Sequence, residues 1–351
     1  MRVRARTAAA GALAERLLAV IDAFRRCRVA VVGDLIADEF IYGQLDRVSR
    51  EAPVLILKYD ATQIVPGGAG NAANNVAALG ARVRLVGAAG RDETGDRMLE
   101  AFMHGVSTAG VVRPRAFRTP TKTRILAGGI HSAKQQVVRI DRATRQALAA
   151  SLAADLSRRL QRAAGGCDAL LVSDYGTGLI TPALVAPAIR RLGGRGSRRV
   201  PVLVDSRYAL TRFRGMTACT PNESEVEHLL DVTIDDDLRA LERSGRALLT
   251  RVRANAVLVT RGSRGMALFE PGEPTRHIAI FGSDEIADVT GAGDTVIATM
   301  TLALAAGATS YEAARLANYA GGLVVMKRGT ATVSAEELRR AVRQDLEAEY
   351  H

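Results

Sequence analysis

Tryptophan is missing from this chain of 351 residues, and aromatic side chains of all kinds make up only 4%. Platforms on which successive bases could stack are therefore scarce, which counts against a binder of single-stranded nucleic acid. Cysteine is almost as rare: Cys27, Cys167 and Cys219 lie far apart, with no C-x-x-C pair and no Cys/His cluster. That excludes a disulfide framework and a structural zinc site, and it fits a reducing, cytoplasmic setting. No run of about 18 apolar residues occurs, so no membrane-spanning helix is expected. Lysine occurs four times, at Lys58, Lys122, Lys134 and Lys327, and never after glycine. A Walker A loop, which needs Gly-Lys, is thereby ruled out. The five histidines form neither H-E-x-x-H nor H-x-G-H, which removes zincin proteases and one nucleotidyl-transfer signature.

What the chain does have is positive charge, a formal +11 carried almost wholly by arginine. Arginine is spread through every segment, so the excess reads as compositional bias rather than as a binding stripe, and no nucleic-acid partner is expected. For the one dense run, Arg190 to Arg199, a solvated connection and an electrostatic footprint are both open readings. Near the N-terminus, Leu13, Leu17, Leu18 and Ile21 recur at helical spacing, with Glu15 and Arg16 between them. An amphipathic first helix is expected there rather than an export signal. Hydrophobic residues at 48% and charged residues at 24% are the balance of a globular protein long enough to bury a full core.

Short apolar runs alternate with helical patterns along most of the length. Strands are predicted at Val29–Gly33, Val83–Ala88, Ala169–Ser173, Val200–Val204 and Ala256–Thr260. Helices are predicted at Asn71–Leu79, Leu148–Ala164, Pro182–Leu192 and Asp294–Ala306. Such an order implies an α/β fold with a mostly parallel sheet and helices on both faces. Two stretches, about 39–65 and 117–141, alternate without helices between them and are read as a small β lid. The expected organisation is an N-terminal helix over 1–27, one domain over 28–340 and a tail over 341–351.

Four motifs carry chemistry. Asp288-Val-Thr-Gly291-Ala292-Gly293-Asp294 runs straight into an apolar helix. Its glycines permit a tight turn that bares N–H groups at the helix start, an anion site suited to a transferring phosphoryl group. A carboxylate there suits a general base, with Asp294 taking a proton from an attacking hydroxyl; a plain helix cap is the other reading. In Thr220-Pro-Asn222-Glu223-Ser224-Glu225, an amide and an acid three residues apart can face one pocket. They fit a hydrated Mg²⁺ arriving on phosphates, with Glu225 acting through water; a capping box is compatible with the same residues. Pro66-Gly67-Gly68-Ala-Gly-Asn71 matches a dinucleotide fingerprint only loosely and equally suits close approach to a sugar. Asp34 and Asp38 follow the first strand, at the edge where open α/β sheets bind ligands.

Gly-Gly-Ala-Gly-Asn71 together with Asp-Val-Thr-Gly-Ala-Gly-Asp294 resembles the two signatures of the ribokinase-like (phosphofructokinase-B-type) carbohydrate kinases. Further stretches, among them Glu51-Ala-Pro53-Val, Pro120-Thr-Lys-Thr-Arg124, Ser173-Asp-Tyr175 and Thr220-Pro-Asn222, resemble the D-glycero-β-D-manno-heptose-7-phosphate kinases. The likeness runs from about residue 28 to residue 340. It implies a ribokinase-like sheet with a β lid, often a homodimer contact, ATP with Mg²⁺, room for a monovalent cation, and phosphoryl transfer to a sugar hydroxyl. By position, Asp294 matches the catalytic base and Gly291, Ala292 and Gly293 the anion hole. Asn222 to Glu225, Thr260, Gly262 and Gly265 match nucleotide-binding positions, and Asp34, Gly67, Gly68 and Asn71 the sugar side. Lys122, Arg124 and Arg139 are candidates for the far phosphate of the substrate, since lid cations could pair with it. One departure stands out: Ser206-Arg207 occupies the place where these kinases carry Pro-Lys, and Arg does not reproduce the geometry of Lys.

The expected activity is therefore phosphorylation of O1 of heptose 7-phosphate, giving the 1,7-bisphosphate of ADP-heptose synthesis. No fused adenylyltransferase domain is expected. Another kinase of the same kind, using fructose 1-phosphate or a further hexose phosphate, is one alternative. A non-catalytic nucleotide- or sugar-binding regulator is the other.

Overall fold

β-branched runs separated by amphipathic helices need cover on both faces of the sheet they form. The computed structural model, which describes residues 2–128, 134–142, 150–193, 199–282, 288–327 and 329–350, provides it. The chain enters through α1 (Arg2–Ala23) and β1 (Arg28–Gly33), then leaves the main sheet in a long hairpin, β2 (Leu35–Val48) and β3 (Leu55–Gly68). It returns through α2 (Ala69–Ala78), β4 (Arg82–Ala88), α3 (Glu93–Glu100) and β5 (Val106–Val112). A second excursion is β6 (Thr121–Gly128) with β7 (Gln135–Arg142). Alternation resumes with α4 (Ala150–Ala164), β8 (Ala169–Asp174), α5 (Pro182–Leu192) and β9 (Val202–Ser206). There follow β10 (Ala218–Cys219), α6 (Glu223–Leu230), α7 (Leu238–Val252), β11 (Ala256–Thr260), β12 (Met266–Phe269) and β13 (Arg276–Ile278). The last elements are α8 (Ala292–Ala305), α9 (Ser310–Val325) and α10 (Ala335–Tyr350).

The main sheet has nine strands in the order β13-β12-β11-β10-β9-β8-β1-β4-β5. It is parallel from β11 to β5, with β12 and β13 antiparallel at one edge. Successive strand residues feed opposite layers, as the two-residue period requires. Val29, Val31, Leu85, Leu171 and Leu203 join α1, α2, α8 and α9 in one apolar layer. Ala30, Val32, Val86, Leu170 and Val172 join α4, α5 and α7 in the other. The two excursions meet in a separate four-stranded sheet, β3-β2-β6-β7, which is the lid. All eight residues of β7 are exposed. Residues 129–133, inside the lid stretch foreseen over 117–141, lie outside the described residues.

Several sequence expectations shift; the helices foreseen from Asn71 and from Asp294 each begin two residues earlier, at Ala69 and Ala292. The strand foreseen at Val200–Val204 begins two residues later, at Val202, after Pro201, which has no N–H to give a ladder. The helix foreseen from Leu148 is described from Ala150, the two residues before it lying outside the described part, as do 194–198 in the arginine run. Residues 341–350, set apart as a tail, continue α10, where Ala341 and Val342 are buried in the layer that α1 also joins. The antiparallel edge β12–β13 and the buried helix α9 had no counterpart in the sequence reading. Among the described residues, no helix is long and apolar enough to cross a membrane.

Gly33 ends β1 where β8 comes closest, and a Cβ there would collide with the Ser173 carbonyl and with Ala69. That carbonyl also accepts the Asp34 N–H at 3.1 Å, so it cannot move without moving the site. Gly33→Ala is expected to destabilise the chain by about 1–3 kcal/mol, read from chemical denaturation; an unchanged midpoint would contradict this packing.

Candidate active site

Side chains with polar chemistry gather at the carboxyl ends of the parallel strands, on the edge facing the lid, where open α/β sheets hold ligands. Asp34 follows β1, Asp174 ends β8 and Tyr175 follows it, Asp205 and Arg207 flank the end of β9, and Asn222 follows β10. The start of α8 completes the group. Gly291 adopts a φ of +78° at the N-cap of that helix, a conformation that glycine reaches without strain. A Cβ at Gly291 would strike the Asn71 amide. Of the amides at this turn, that of Ala292 is spent on the Val289 carbonyl at 3.2 Å. Those of Gly293 and Asp294 have no partner among the described residues, so two bare N–H groups and the positive end of α8 face the cleft.

Asp294 lies in the first turn of α8, 3% exposed. Its Oδ2 accepts the Asn71 Nδ2–H at 2.9 Å and its Oδ1 the Tyr175 O–H at 3.0 Å. Asn71 is itself oriented: Asn75 Nδ2 donates to Asn71 Oδ1 at 3.0 Å, and the Thr295 hydroxyl donates to Asn75 Oδ1 at 3.1 Å. Burial pushes the Asp294 carboxyl up to about 7, against the lowering effect of the Asn71 and Tyr175 donors. A carboxyl that titrates near neutrality, with acceptor directions left over, is equipped to take a proton.

A cavity of about 230 Å³ opens beside it, lined by Asp174, Asp205, Thr220, Asn222, Glu225 and Gly293 among others. Asp205 is held well above the ordinary carboxylate range by burial and by the charges of Glu225 and Asp294. Glu225 is raised too, chiefly by burial. The Thr220 hydroxyl is buried with no hydrogen-bond partner. Mutually repelling carboxylates beside an orphaned hydroxyl suit a hydrated divalent cation. No cluster of three ligating side chains exists among the described residues, so such an ion would come in on its phosphates. Sharing Asn222, Thr260 and Gly293, a second cavity of about 280 Å³ continues from the first. Its walls are mostly apolar, from Met266, Ile280, Val289, Val296 and Val325, with Gly262 and Gly265 at its rim. An acid-lined end and an apolar end fit the phosphates and the base of a nucleotide. A larger cavity of about 760 Å³ includes Pro201, Thr217 and Asn255 in its wall. Those residues precede β9, β10 and β11, so it lies at the opposite end of the sheet from these groups.

The residues singled out from sequence fare differently. Asn222 and Glu225 form the capping box of α6, at 2.9 and 3.0 Å, and both still line the cavity. Glu223 turns away to Arg261, at 2.6 Å, and Arg264; Ser224 lines neither cavity. Asp34 is buried and spends its oxygens on the loop after β8, accepting from Tyr175 N at 2.8 Å and Thr177 Oγ1 at 2.6 Å. Burial raises it to about 6. Gly68 (φ +58°) lets the chain turn from the lid into α2, and a Cβ on Gly67 would strike Asp38. Asp38 is ion-paired with Arg124 at 2.7 Å, both largely buried, and also accepts from Thr330 at 3.2 Å. Arg139 is paired with Asp141 at 2.6 Å. Two of the three lid cations thus have carboxylate partners of their own. Lys122 makes no ion pair among the described residues, although the charges of Asp38 and Asp141 act on it; burial lowers its pKa, and its ammonium sits 4.9 Å from the centre of the Tyr175 ring. Asp174, Asp205, Thr220 and the phenol of Tyr175 escaped the sequence reading as site groups. Their places at the carboxyl ends of β8, β9 and β10 were the available signal.

Residues 27–338 match the pfkB family of carbohydrate kinases. The chain is 41% identical over 314 residues to the bifunctional protein HldE of Trichlorobacter lovleyi, covering 89% of this chain and 62% of that protein. It is 39% identical over 324 residues to the HldE of Pelobacter propionicus, covering 91% and 64%. The chain thus spans less than two thirds of the length of these relatives. Among solved structures, Arabidopsis thaliana ribokinase complexed with ribose and ATP superposes with a TM-score of 0.65 at 21% identity, covering 91% of this chain and 98% of that one. Phosphofructokinase-2 of Escherichia coli superposes with a TM-score of 0.68 at 18% identity, covering 92% and 99%. Both likenesses concern the fold.

The raised carboxyl of Asp294 has a consequence for stability. Folded, it keeps its proton up to about pH 7; unfolded, it releases it near the usual 3.8. Between those values the folded state binds more protons, so its stability falls as pH rises. Asp294→Asn, which removes the buried charge, is expected to stabilise the chain by about 2–4 kcal/mol at about pH 8 and by less at about pH 5. Thermal melts at the two pH values check this; equal or inverted differences would contradict the buried, raised carboxyl.

Proposed function

The chain belongs to the pfkB family of carbohydrate kinases, and from that premise we propose that it transfers the γ-phosphoryl group of ATP to O1 of D-glycero-β-D-manno-heptose 7-phosphate. The observation that carries the reading is the buried Asp294 beside the bare amides of Gly293 and Asp294, at the mouth of a two-part cleft. Asp294 takes the proton of the anomeric hydroxyl while that oxygen attacks the γ-phosphorus, and the bond to the bridging oxygen of ADP breaks. The amides at the start of α8 hold the phosphoryl oxygens as charge develops on them. Magnesium, when bound, neutralises phosphate charge, and Asp205, Glu225 and Thr220 would face it through water. The apolar cavity between Met266 and Val325 would take the base.

Similarity to two HldE proteins supports the heptose substrate, as does the lid cation Lys122, which makes no ion pair among the described residues and lies next to Tyr175 on the sugar side. Such a cation suits the 7-phosphate. The sugar lies under the lid, where exclusion of water limits loss of the phosphoryl group to hydrolysis. A cytoplasmic setting accords with ATP as donor and with three cysteines buried as thiols.

A second copy of the chain is the proposed partner of the lid. Its strands β2, β3 and β7 expose Leu45, Val48, Leu55, Tyr59, Val138 and Ile140, with Tyr59 at 68%. Large apolar groups concentrated on one small sheet mark an interaction surface. In light scattering the chain is expected at twice the mass of one chain, and Tyr59→Asp combined with Ile140→Asp at the mass of one. A native chain running as a monomer would remove the dimer.

Substrate assignment is tested by ADP release across a panel of sugars, with NMR to locate the new phosphate. Heptose 7-phosphate is expected to turn over with phosphate on O1, and the same sugar without its phosphate at least about tenfold less efficiently. In the same assay Asp294→Asn should lose about 10²–10⁴-fold. Preference for a hexose phosphate, or indifference to the distal phosphate, would overturn the heptose assignment.

A further inference from the structure

One donor to Asp294 lies outside the two glycine-rich signatures. Tyr175 comes from the turn after β8, and three separate contacts place it. Its backbone N–H donates to Asp34 at 2.8 Å. Against its ring rest two cations from different parts of the molecule. The Lys122 ammonium, from lid strand β6, is 4.9 Å from the ring centre, and the Arg207 guanidinium, from the turn after β9, is 5.4 Å from it. A cation within about 6 Å of an aromatic ring centre is attracted to it, more so when shielded from water. Tyr175 therefore has little freedom to turn, and its hydroxyl stands 3.0 Å from Asp294 Oδ1.

We propose that Tyr175 is the positioning residue of the catalytic carboxylate: its phenol O–H orients Asp294 and favours its ionised form, while Lys122 and Arg207 hold the ring in place for that task. The proposal rests on Asp294 being the base. Each carboxylate oxygen offers two acceptor directions. Asn71 takes one on Oδ2 and Tyr175 one on Oδ1, which leaves a free direction on either oxygen for the substrate hydroxyl. A donor to the charged form of a carboxyl favours that form. Burial and the neighbouring Asp294 charge hold the phenol well above its ordinary range. It thus keeps its proton throughout, as a donor and never a rival base. During transfer the only proton that moves is the one passing from the sugar hydroxyl to Asp294.

Arg207 gives the unusual Ser206-Arg207 pair a place in this scheme. Ser206 donates its hydroxyl to Asp174 at 2.7 Å, and Arg207 N–H donates to the Asp174 carbonyl at 3.1 Å. The turn that carries the guanidinium is thereby tied to the turn that carries Tyr175.

Tyr175→Phe keeps the ring and both cation contacts and deletes only the O–H, so the fold should be retained, as a melting curve would verify. The informative readout is kcat/KM for the sugar phosphate against pH. With Tyr175 the acidic limb reflects Asp294 losing its proton; without it, that limb should move up by about one pH unit. Activity then falls about tenfold below about pH 7 and returns close to native by about pH 9, with the KM for ATP unchanged. A residue that only packs would lower activity by one factor at every pH, or not at all, and either result overturns the proposal. Asp294→Asn, run alongside, separates the two ideas. If it keeps native turnover, the base assignment and the proposal fall together. If it is inactive while Tyr175→Phe leaves the limb unmoved, the proposal alone falls.

Discussion

A carboxylate buried at the tip of a helix is costly unless its charge is answered, and the answer given to Asp294 organises this end of the molecule. Two neutral donors, the Asn71 amide and the Tyr175 phenol, arrive from different elements and engage its two oxygens separately. Neither cancels its charge as an ion pair would. The group therefore stays near neutrality instead of being locked far below it. Each donor is in turn held: Asn71 through Asn75 and Thr295, Tyr175 through Asp34 and two cations. The close approach of α2 to α8 and of β8 to β1, with glycines at Gly33 and Gly291, is what allows those donors to reach.

Around this point the charges are distributed by function. Carboxylates line one end of the cleft, the end proposed for the phosphates, where a cation brought by the ligand would relieve their repulsion, while apolar side chains line the other end. Arginines on the lid are neutralised by Asp38 and Asp141. The buried Asp38–Arg124 pair does not have to add stability to be retained, since desolvation offsets much of its attraction. Its evident effect is to set the lid strand β2 against β6. That leaves Lys122, two residues before Arg124 on β6, as a lid cation beside Tyr175.

How much of this the sequence disclosed depended on range. Local patterns gave five of the seven parallel strands and several of the helices, because a period of two or of 3.6 is written in consecutive residues. Pro182–Leu192 and Ala256–Thr260 were found to the residue, while β5, β10, α3 and α7 were not foreseen. The glycine-rich turns were legible for the same reason, since Gly291 needs a positive φ locally. Pairings across long separations were not. Nothing in the run around Arg124 signals that Asp38 neutralises it, and nothing near Tyr175 signals a bond to a residue 119 positions away. Asp34 read as an open sugar contact, yet its oxygens are consumed by a loop whose position depends on β8. The short β12 and β13, only four and three residues long, carried too few residues to show a period.

The central claim is that Asp294 is an ionisable group poised near neutrality between two neutral donors. Carbon-13 NMR of the aspartate side-chain carboxyl carbons, with the Asp294 signal assigned from its absence in Asp294→Asn, reads that state without turnover. A midpoint near 7 is the expected result. A midpoint at the usual aspartate value of about 3.9 would mean an exposed or ion-paired carboxylate, and the account of this site would be wrong.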